Sequence, residues 1–427
     1  MDKNRKAAFN VLLDVEKNDS YVNLVLNQVL SDENPPSQGF VRELVYGVME
    51  NKLLLDYYID NFVKKGIKSL KKQDLTLLRM GIYQIEYMNS VPAYAAVNET
   101  VKMARKLARG RDGFINGVLR SYLSKKEQVA LPSFEENPSM HLSIKYSCHK
   151  SICDLWISQF GIDKTISLLE WTNKVPPVNV RTNSELCDRD ELAKSLETQG
   201  FEVEYEELSS RSLRVKGEKL LETDLYREGY FSVQDVASTF IADSMSPVSG
   251  DVILDMCSAP GGKTLAMAEE LKGKGKIIAC DIYPHRLGLI EKEMKRLKIS
   301  NVETAIMDGT LYNEDFEASF DKVLVDGPCS GLGVLRRKPE LKYREVVDSG
   351  KELASIQLKI LQNGSKYVKP GGKLCYSTCT INKFENEGVA EKFLQENNEF
   401  VVKEMRQLSP IEDGCDGFFV ALFERRI

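Results

Sequence analysis

The sequence predicts a multidomain fold: an all-α N-terminal domain, a small α+β middle subdomain and an α/β C-terminal domain built on a doubly wound sheet. Three observations carry this. A chain of 427 residues has room for two or three domains of roughly 100–200 residues each. Its N-terminal part repeats apolar residues with helical spacing. From Gly229 onward, short apolar runs alternate with helical patterns, as strands of a mostly parallel sheet do.

Composition excludes other classes. Hydrophobic residues make up 42% and charged residues 28%, which rules out a collagen-like, coiled-coil or disordered chain. No apolar run approaches the roughly 18 residues of a membrane span, and no signal peptide is visible in the charged start MDKNRKAAFNVLLDVEKN. A cytoplasmic monomer without a membrane partner is expected. The nine cysteines are odd in number and show no framework spacing, so free thiols are expected.

The helical domain is assigned to residues 1–127. Ala8, Val11, Leu12 and Val15 share one helix face, and Val22, Val25, Leu26 and Val29 another. Leu75, Leu78, Ile82 and Ile85 continue the pattern, as do Val97, Val101, Ala104 and Ala108. Net charge is -5, yet Phe62 to Lys126 holds 14 Lys and Arg against 4 Asp and Glu, a local +10. Lys64, Lys65, Lys68, Lys71 and Lys72, then Lys102, Arg105, Lys106, Arg109 and Arg111, lie on or beside these helices. An ordinary solvated face mixes both signs, so this excess predicts a phosphate-facing surface.

Residues 128–140 (VALPSFEENPSMH) read as a linker. The middle subdomain, 141–228, starts with a helix over Cys153 to Trp171. A strand over Val178 to Thr182, a helix over Asp190 to Gln199 and strands over Phe201 to Tyr205 and Leu213 to Val215 follow. The third domain, 229–427, has strands at Val252 to Leu254, Lys276 to Cys280, Val302 to Ile306, Lys322 to Val325 and Lys373 to Tyr376. Phe418 to Phe423 is expected as a closing edge strand.

The first of these strands ends at Asp255 and runs through Met256, Cys257, Ser258, Ala259, Pro260, Gly261, Gly262, Lys263 and Thr264 into a helix. Ligands of open α/β sheets bind beyond the carboxyl ends of the strands, and paired glycines let backbone approach them. Neither G-x-x-x-x-G-K-[ST] nor G-x-G-x-x-G is present. Asp281, 26 residues after Asp255, ends the next strand, where a carboxylate can accept from both ribose hydroxyls. Asp308 and Asp326 end two more. Carboxylates repel a pyrophosphate and favour a nucleoside bearing a cation, which is the character of S-adenosylmethionine.

Two cysteines also stand at strand ends: Cys329 in Asp326-Gly-Pro-Cys-Ser-Gly and Cys379 in Tyr376-Ser-Thr-Cys-Thr. Cys257, Cys280 and Cys375 read as small core hydrophobes. The cysteine spacings and three histidines make no metal set, and no C-x-x-C is present for disulfide exchange. One methyl donor and two thiols suit methylation at carbon 5 of cytosine. That carbon must first be activated by thiolate addition at carbon 6, and a base must later remove its proton. Asp326, protonated or sharing a proton with the ring, would hydrogen-bond the cytosine edge, and the base must leave its stack.

These residues resemble the RNA cytosine-5 methyltransferases, whose motifs stand here as DMCSAPGGKT, DGPCSG and YSTCT. The likeness extends through Gly229 to Asp235, Asn382 to Glu387 and Asp416 to Phe419. FVRELVYGVMENKLLLDYYI and QIEYMNSVPAYAAVNETVKMARK resemble the NusB-type RNA-binding domain, and the middle part is similar to a small RNA-recognition-like insert. This pairing is that of the bacterial RsmB (Sun/Fmu) type of small-subunit ribosomal RNA methyltransferases. The resemblance implies a Rossmann-like class I methyltransferase domain, S-adenosylmethionine bound by Cys257 to Lys263 with Asp281, Asp308 and Asp326, and 16S rRNA as partner. It makes Cys379 the nucleophile and Cys329 the residue that assists release. A tRNA substrate, or a non-catalytic antitermination-type RNA-binding factor, are the alternatives.

Overall fold

The computed structural model describes residues 1–18 and 20–427. The chain forms two compact units, Met1–Lys174 with Leu335–Glu345, and Val175–Val334 with Val346–Ile427. Among the described residues no helix is long and apolar enough to cross a membrane.

The first unit is helical: α1 (Lys3–Asn18), α2 (Val22–Glu33), α3 (Gln38–Glu50), α4 (Lys52–Phe62), α5 (Lys72–Tyr87), α6 (Ala93–Leu107), α7 (Asp112–Lys125), α8 (Pro138–Lys145), α9 (Lys150–Phe160) and α10 (Ile162–Thr172). The expected stripe of α1 is buried at Ala8, Val11, Leu12 and Val15. Of the α2 stripe, Val22 and Leu26 are buried, while Val25 and Val29 pack at its margin. α5 is buried continuously from Thr76 to Gln84, which makes it the central helix. Arg79 lies on it and does not belong to the basic surface. Its guanidinium holds Asp56 at 2.6 and 2.7 Å and Glu16 at 3.1 Å inside the unit. Eleven of the other cationic residues between Phe62 and Lys126 are exposed.

Two local expectations are corrected. The helix expected over Cys153 to Trp171 is two helices, because Gly161 at φ +79° ends α9. The end of the expected linker is helical: Asn137 caps α8 by accepting from Met140 N, and Pro138 occupies its first turn. Leu335–Glu345 completes this unit from a distant part of the chain. The Tyr343 hydroxyl donates to the Met49 carbonyl, and the buried Lys342 ammonium donates to Asn173 Oδ1 at 2.6 Å and Glu50 O at 3.2 Å. Burial lowers Lys342 to about 8.

The second unit contains two sheets. β1 (Val178–Thr182), β2 (Glu202–Tyr205), β3 (Ser212–Lys216) and β4 (Phe231–Val233) pair antiparallel in the order β2-β3-β1-β4. α11 (Arg189–Thr198) packs Leu192, Ala193 and Leu196 against Val180, Leu213 and Phe231, and a single turn, α12 (Asp224–Arg227), precedes β4.

The larger sheet contains β5 (Val252–Asp255), β6 (Lys276–Asp281), β7 (Val302–Ile306), β8 (Phe320–Asp326), β9 (Val368–Thr378), β10 (Phe400–Leu408) and β11 (Phe418–Arg425). Its order is β10-β11-β9-β8-β5-β6-β7, parallel from β9 to β7. α13 (Val236–Ser244), α14 (Gly262–Glu270), α15 (Pro284–Leu297), α16 (Val347–Tyr367) and α17 (Glu387–Glu396) accompany it. The closing aromatic run is not an edge strand. β11 pairs with β9 on one side and β10 on the other. A continuous apolar run fits that interior place, whereas the edge strand β10 mixes Lys403, Glu404, Arg406 and Gln407 into its pattern and was not legible.

The two sheets of this unit are joined by a buried ion pair. Arg181 of β1 is 1% exposed and Glu269 of α14 is 0% exposed, and they meet at 2.9 and 2.6 Å. Arg181 also donates to the Gly262 carbonyl at 2.9 Å, at the start of α14. Removing Arg181 leaves the buried Glu269 to the more distant Arg211, at 3.4 Å. Arg181→Ala is therefore expected to destabilise this unit by up to about 3 kcal/mol, and Arg181→Met with Glu269→Met by much less, in urea unfolding followed by circular dichroism.

Candidate active site

β5 lies between β6 and β8, and the chain leaves it towards β6 and later returns to its other side at β8. This is the switch point at which open α/β sheets leave a crevice beyond their carboxyl ends. Every strand from β5 to β9 ends there in a polar residue or runs into one, and the predicted site residues gather at this edge.

Asp255 ends β5. It is buried, with Oδ2 accepting from Thr264 Oγ1 at 2.6 Å and Oδ1 without a partner. Burial is the largest influence on it; with help from the Asp326 charge it outweighs the Thr264 hydrogen bond and raises the carboxyl from 3.8 to about 7.

In the turn that follows, Ser258 donates from both N and Oγ to the Cys280 carbonyl, at 2.8 and 2.9 Å, which ties the turn to β6. Gly261 adopts φ +105°, and a Cβ there would come within 3.0 Å of Ile290; one on Gly262 would come within 3.1 Å of Gln234. Both glycines thus serve packing within the protein as well as conformation. Of the turn residues, Ala259 is buried, Cys257 half-buried and Pro260 exposed.

Asp281, at the end of β6, accepts from Tyr283 N at 3.0 Å and pairs with Arg286 at 3.0 Å; Arg286 also donates to the Ala259 carbonyl at 2.6 Å. Asp308, just beyond β7, accepts from Thr310 N and Oγ1 at 2.9 and 2.7 Å, and these bonds hold its carboxyl below the usual range.

Lys263, the first charged residue of α14, reaches the other end of the crevice. Its ammonium lies 2.7 Å from Asp326 Oδ2 and 5.1 Å from the centre of the Phe418 ring. Burial alone would lower it; the Asp326 carboxylate, followed by Cys379 and Asp255, outweighs burial, and the shift is upward. Asp326 Oδ1 accepts from Ser377 Oγ at 2.7 Å. Both oxygens of Asp326 thus accept hydrogen bonds within the protein.

Cys329 and Cys379 meet. Their sulfurs are 3.3 Å apart, although the residues are 50 positions apart in sequence. Register explains it: β8 and β9 pair in parallel with Asp326 opposite Ser377, so both strands end at the same level and their following residues emerge side by side. Gly327 N donates to Ser377 O at 2.9 Å and Gly333 N to Cys379 O at 3.0 Å, extending the pairing past the strands. Gly333 also lies against Gly417; a Cβ on it would fall 1.7 Å from the Gly417 carbonyl oxygen, so only backbone fits.

Cys280 and Cys375 behave as core, whereas Cys257 is half-buried. Cys280 and Cys375 are buried, and burial pushes Cys280 up to about 12 and Cys257 and Cys375 higher still. Sequence reading missed Glu385. It is fully buried beside Cys329, and only its position in the Asn382 to Glu387 motif marked it.

Comparison with known proteins agrees along the whole chain. Residues 242–424 match the family model of the 16S rRNA methyltransferase RsmB/F, residues 2–124 that of the NusB family, and residues 151–220 that of the RsmF/B-like ferredoxin-like domain. The chain is 35% identical over 450 residues to the probable ribosomal RNA small subunit methyltransferase B of Bacillus subtilis, covering 99% of this chain and 98% of that one. It is 31% identical over 412 residues to the ribosomal RNA small subunit methyltransferase B of Proteus mirabilis, covering 94% and 93%. The crystal structure of PH0851 superposes with a TM-score of 0.85 at 25% identity, covering 100% and 99%.

Asp255 yields a test of the crevice's electrostatics. Its folded pKa is above its ordinary value, so the folded protein binds more protons from about pH 4 to 7. The stability it contributes is full below about pH 4 and lost as pH rises through 7. Asp255→Asn cannot ionise. Its unfolding midpoint is expected to gain on that of the wild type between pH 4 and 8, and a constant difference across that range would contradict the burial of a titrating carboxyl.

Proposed function

The chain belongs to the RsmB/F family of small-subunit ribosomal RNA methyltransferases, and from that premise we propose that it methylates carbon 5 of a cytosine in 16S rRNA through a covalent Cys379 adduct. The observation that carries this reading is the pair of sulfurs 3.3 Å apart beside a Lys–Asp ion pair. One thiol suffices for addition to a ring. Two in contact suit a reaction that both forms and dismantles an adduct at adjacent ring carbons.

The residues at the crevice fit S-adenosylmethionine. Asp281, Asp308 and Asp326 supply carboxylates at the ends of β6, β7 and β8, on either side of β5, suited to ribose hydroxyls and a positive sulfonium, and the Cys257 to Lys263 turn that leaves β5 closes the same edge. When bound, S-adenosylmethionine supplies the methyl electrophile. The chain's own groups do the remainder. Cys379 as thiolate forms the bond to carbon 6 and gives carbon 5 the electron density it lacks. The Lys263 ammonium, within electrostatic reach of Cys379, favours that thiolate, and the Asp326 carboxylate beside it can accept from the exocyclic amine of the ring. Cys329, after losing its proton to solvent, takes the proton from carbon 5, and the bond between carbon 6 and Cys379 breaks. Its thiol is pushed up by the Cys379 hydrogen bond, then by burial, so its thiolate is a strong base once formed.

The exposed cations of the helical unit, with Tyr94 exposed among them, suit an RNA backbone, and an RNA substrate in the ribosome's small subunit places the enzyme in the cytoplasm.

With S-adenosylmethionine and small-subunit rRNA lacking the modification, the chain is expected to form 5-methylcytosine, detected by nucleoside mass spectrometry. Cys379→Ala should abolish it, and Cys329→Ala should accumulate a protein–RNA adduct on denaturing gels. The reverse pattern would exchange the two roles; absence of 5-methylcytosine with the intact chain would end the proposal. RNA affinity should fall steeply with salt, log K against log[salt] having a slope of several units, and reversing Lys64, Lys65 and Lys68 to Glu should flatten it.

A further inference from the structure

We propose that Glu385 is a positioning residue that holds the Cys329 and Cys379 loops together and makes the two thiols unequal, keeping Cys329 protonated while Cys379 ionises. This rests on the cytosine reading above, in which one thiol must be the resting nucleophile and the other the later base.

The geometry comes first. Glu385 lies in the turn between Cys379 and α17, with 0% exposure. A carboxylate so placed costs several kcal/mol unless every lone pair is used. Here each oxygen takes two donors. Oε2 accepts from Ser330 N at 2.8 Å and Gln357 Nε2 at 3.1 Å, and Oε1 from Ser330 Oγ at 2.5 Å and Asn382 Nδ2 at 2.9 Å.

Those donors belong to three segments. Ser330 follows Cys329, Asn382 follows Cys379, and Gln357 stands on α16, from which it also holds the Pro328 carbonyl at 2.8 Å. Ser330 Oγ and Thr380 Oγ1 lie 2.9 Å apart, and the Tyr376 hydroxyl donates to the Glu385 carbonyl at 2.5 Å. The β8–β9 ladder stops at Asp326 and Ser377. Beyond it, the backbone bonds from Gly327 to Ser377 and from Gly333 to Cys379 continue the pairing, and this carboxylate joins the two thiol loops through their side chains. A glutamine has one acceptor oxygen and would turn its own N–H groups towards two of the four donors.

The second argument is charge. Cys329 faces Cys379, Glu385 and Asp326, with Tyr376 beside it and Lys263 on the far side of Asp326. Apart from Lys263, which is paired to Asp326, every ionisable neighbour in that set is anionic when charged. Cys379 instead acts on the Lys263 ammonium. A proton shared by the two sulfurs is therefore placed on Cys329, and Cys379 keeps the electron pair that attacks the ring. After methyl transfer the same negative surroundings make the Cys329 thiolate a strong base.

The test reads the thiol directly. The full chain carrying Cys379→Ala, with and without Glu385→Gln, is alkylated with iodoacetamide across pH 6–11, and Cys329 is followed by peptide mass spectrometry. Removing the Glu385 charge is expected to lower the pH of half-reaction at Cys329 by about one unit or more, with S-adenosylmethionine affinity unchanged. An unshifted profile overturns the proposal. Should Glu385→Gln fail to fold, Ser330→Ala keeps the carboxylate and withdraws one donor. It is then expected to accumulate the protein–RNA adduct at least tenfold over wild type during turnover, and wild-type adduct levels overturn the proposal. Alkylation needs neither RNA nor methyl donor, so its failure is distinct from failure of the cytosine reading, which appears as missing 5-methylcytosine with the unaltered chain.

Discussion

The parallel pairing of β8 with β9 is the constraint from which the chemistry at this site follows. Because Asp326 stands opposite Ser377, the two strands release their loops at one level, and Cys329 and Cys379 arrive within 3.3 Å of each other. A shift of one residue in that register would turn each following side chain to the opposite face of the sheet. The register is defended from several directions. Gly327 and Gly333 extend the backbone hydrogen bonds past the strand ends, and Gly333 meets Gly417 so closely that only two glycines fit. The loop between β10 and β11 thereby becomes a third wall of the thiol pair.

Buried charge is the second theme. Glu385 with its four donors and Arg181 with Glu269 place ionised groups where water is excluded, and the buried Lys263 ammonium meets an Asp326 side chain that is 29% exposed. Such groups contribute little net stability, since desolvation offsets most of the attraction, but a mispaired one is costly. Their value is that each admits few alternatives. Arg181 binds both Glu269 and the Gly262 carbonyl, so the smaller sheet is locked to the helix that begins at the nucleoside-facing turn. Asp255 departs from this pattern. One of its oxygens is orphaned and the other takes the Thr264 hydroxyl, and burial raises its carboxyl to about 7.

In the helical unit, charge is divided by burial. Arg79 sits on the central helix, neutralised by Asp56 and Glu16, while the lysines before it in sequence remain exposed. The segment Leu335–Glu345 adds Tyr343 and Lys342 to the same unit, satisfying helix-end carbonyls at Met49 and Glu50 that α3 leaves open. It follows the Cys329 loop directly along the chain, so residues a few positions apart serve different compact units.

Local pattern alone determined much of this protein. Helical and strand periodicities depend on neighbours within one or two turns, which is why the stripe of α1, the strand Val178–Thr182 and the strands β5 to β9 were legible. The motifs around Cys329 and Cys379 were legible too, as residue types next to strand ends. Tertiary structure decided what depends on distant partners. It placed β11 inside the sheet and β10 at its edge, turned Arg79 inward, split one expected helix at Gly161, set Gly261 and Gly262 against Ile290 and Gln234, and gave Glu385 its four donors. Pairing register, burial and the sign of a neighbouring charge are relations between residues far apart along the chain, and no periodicity within a single segment encodes them.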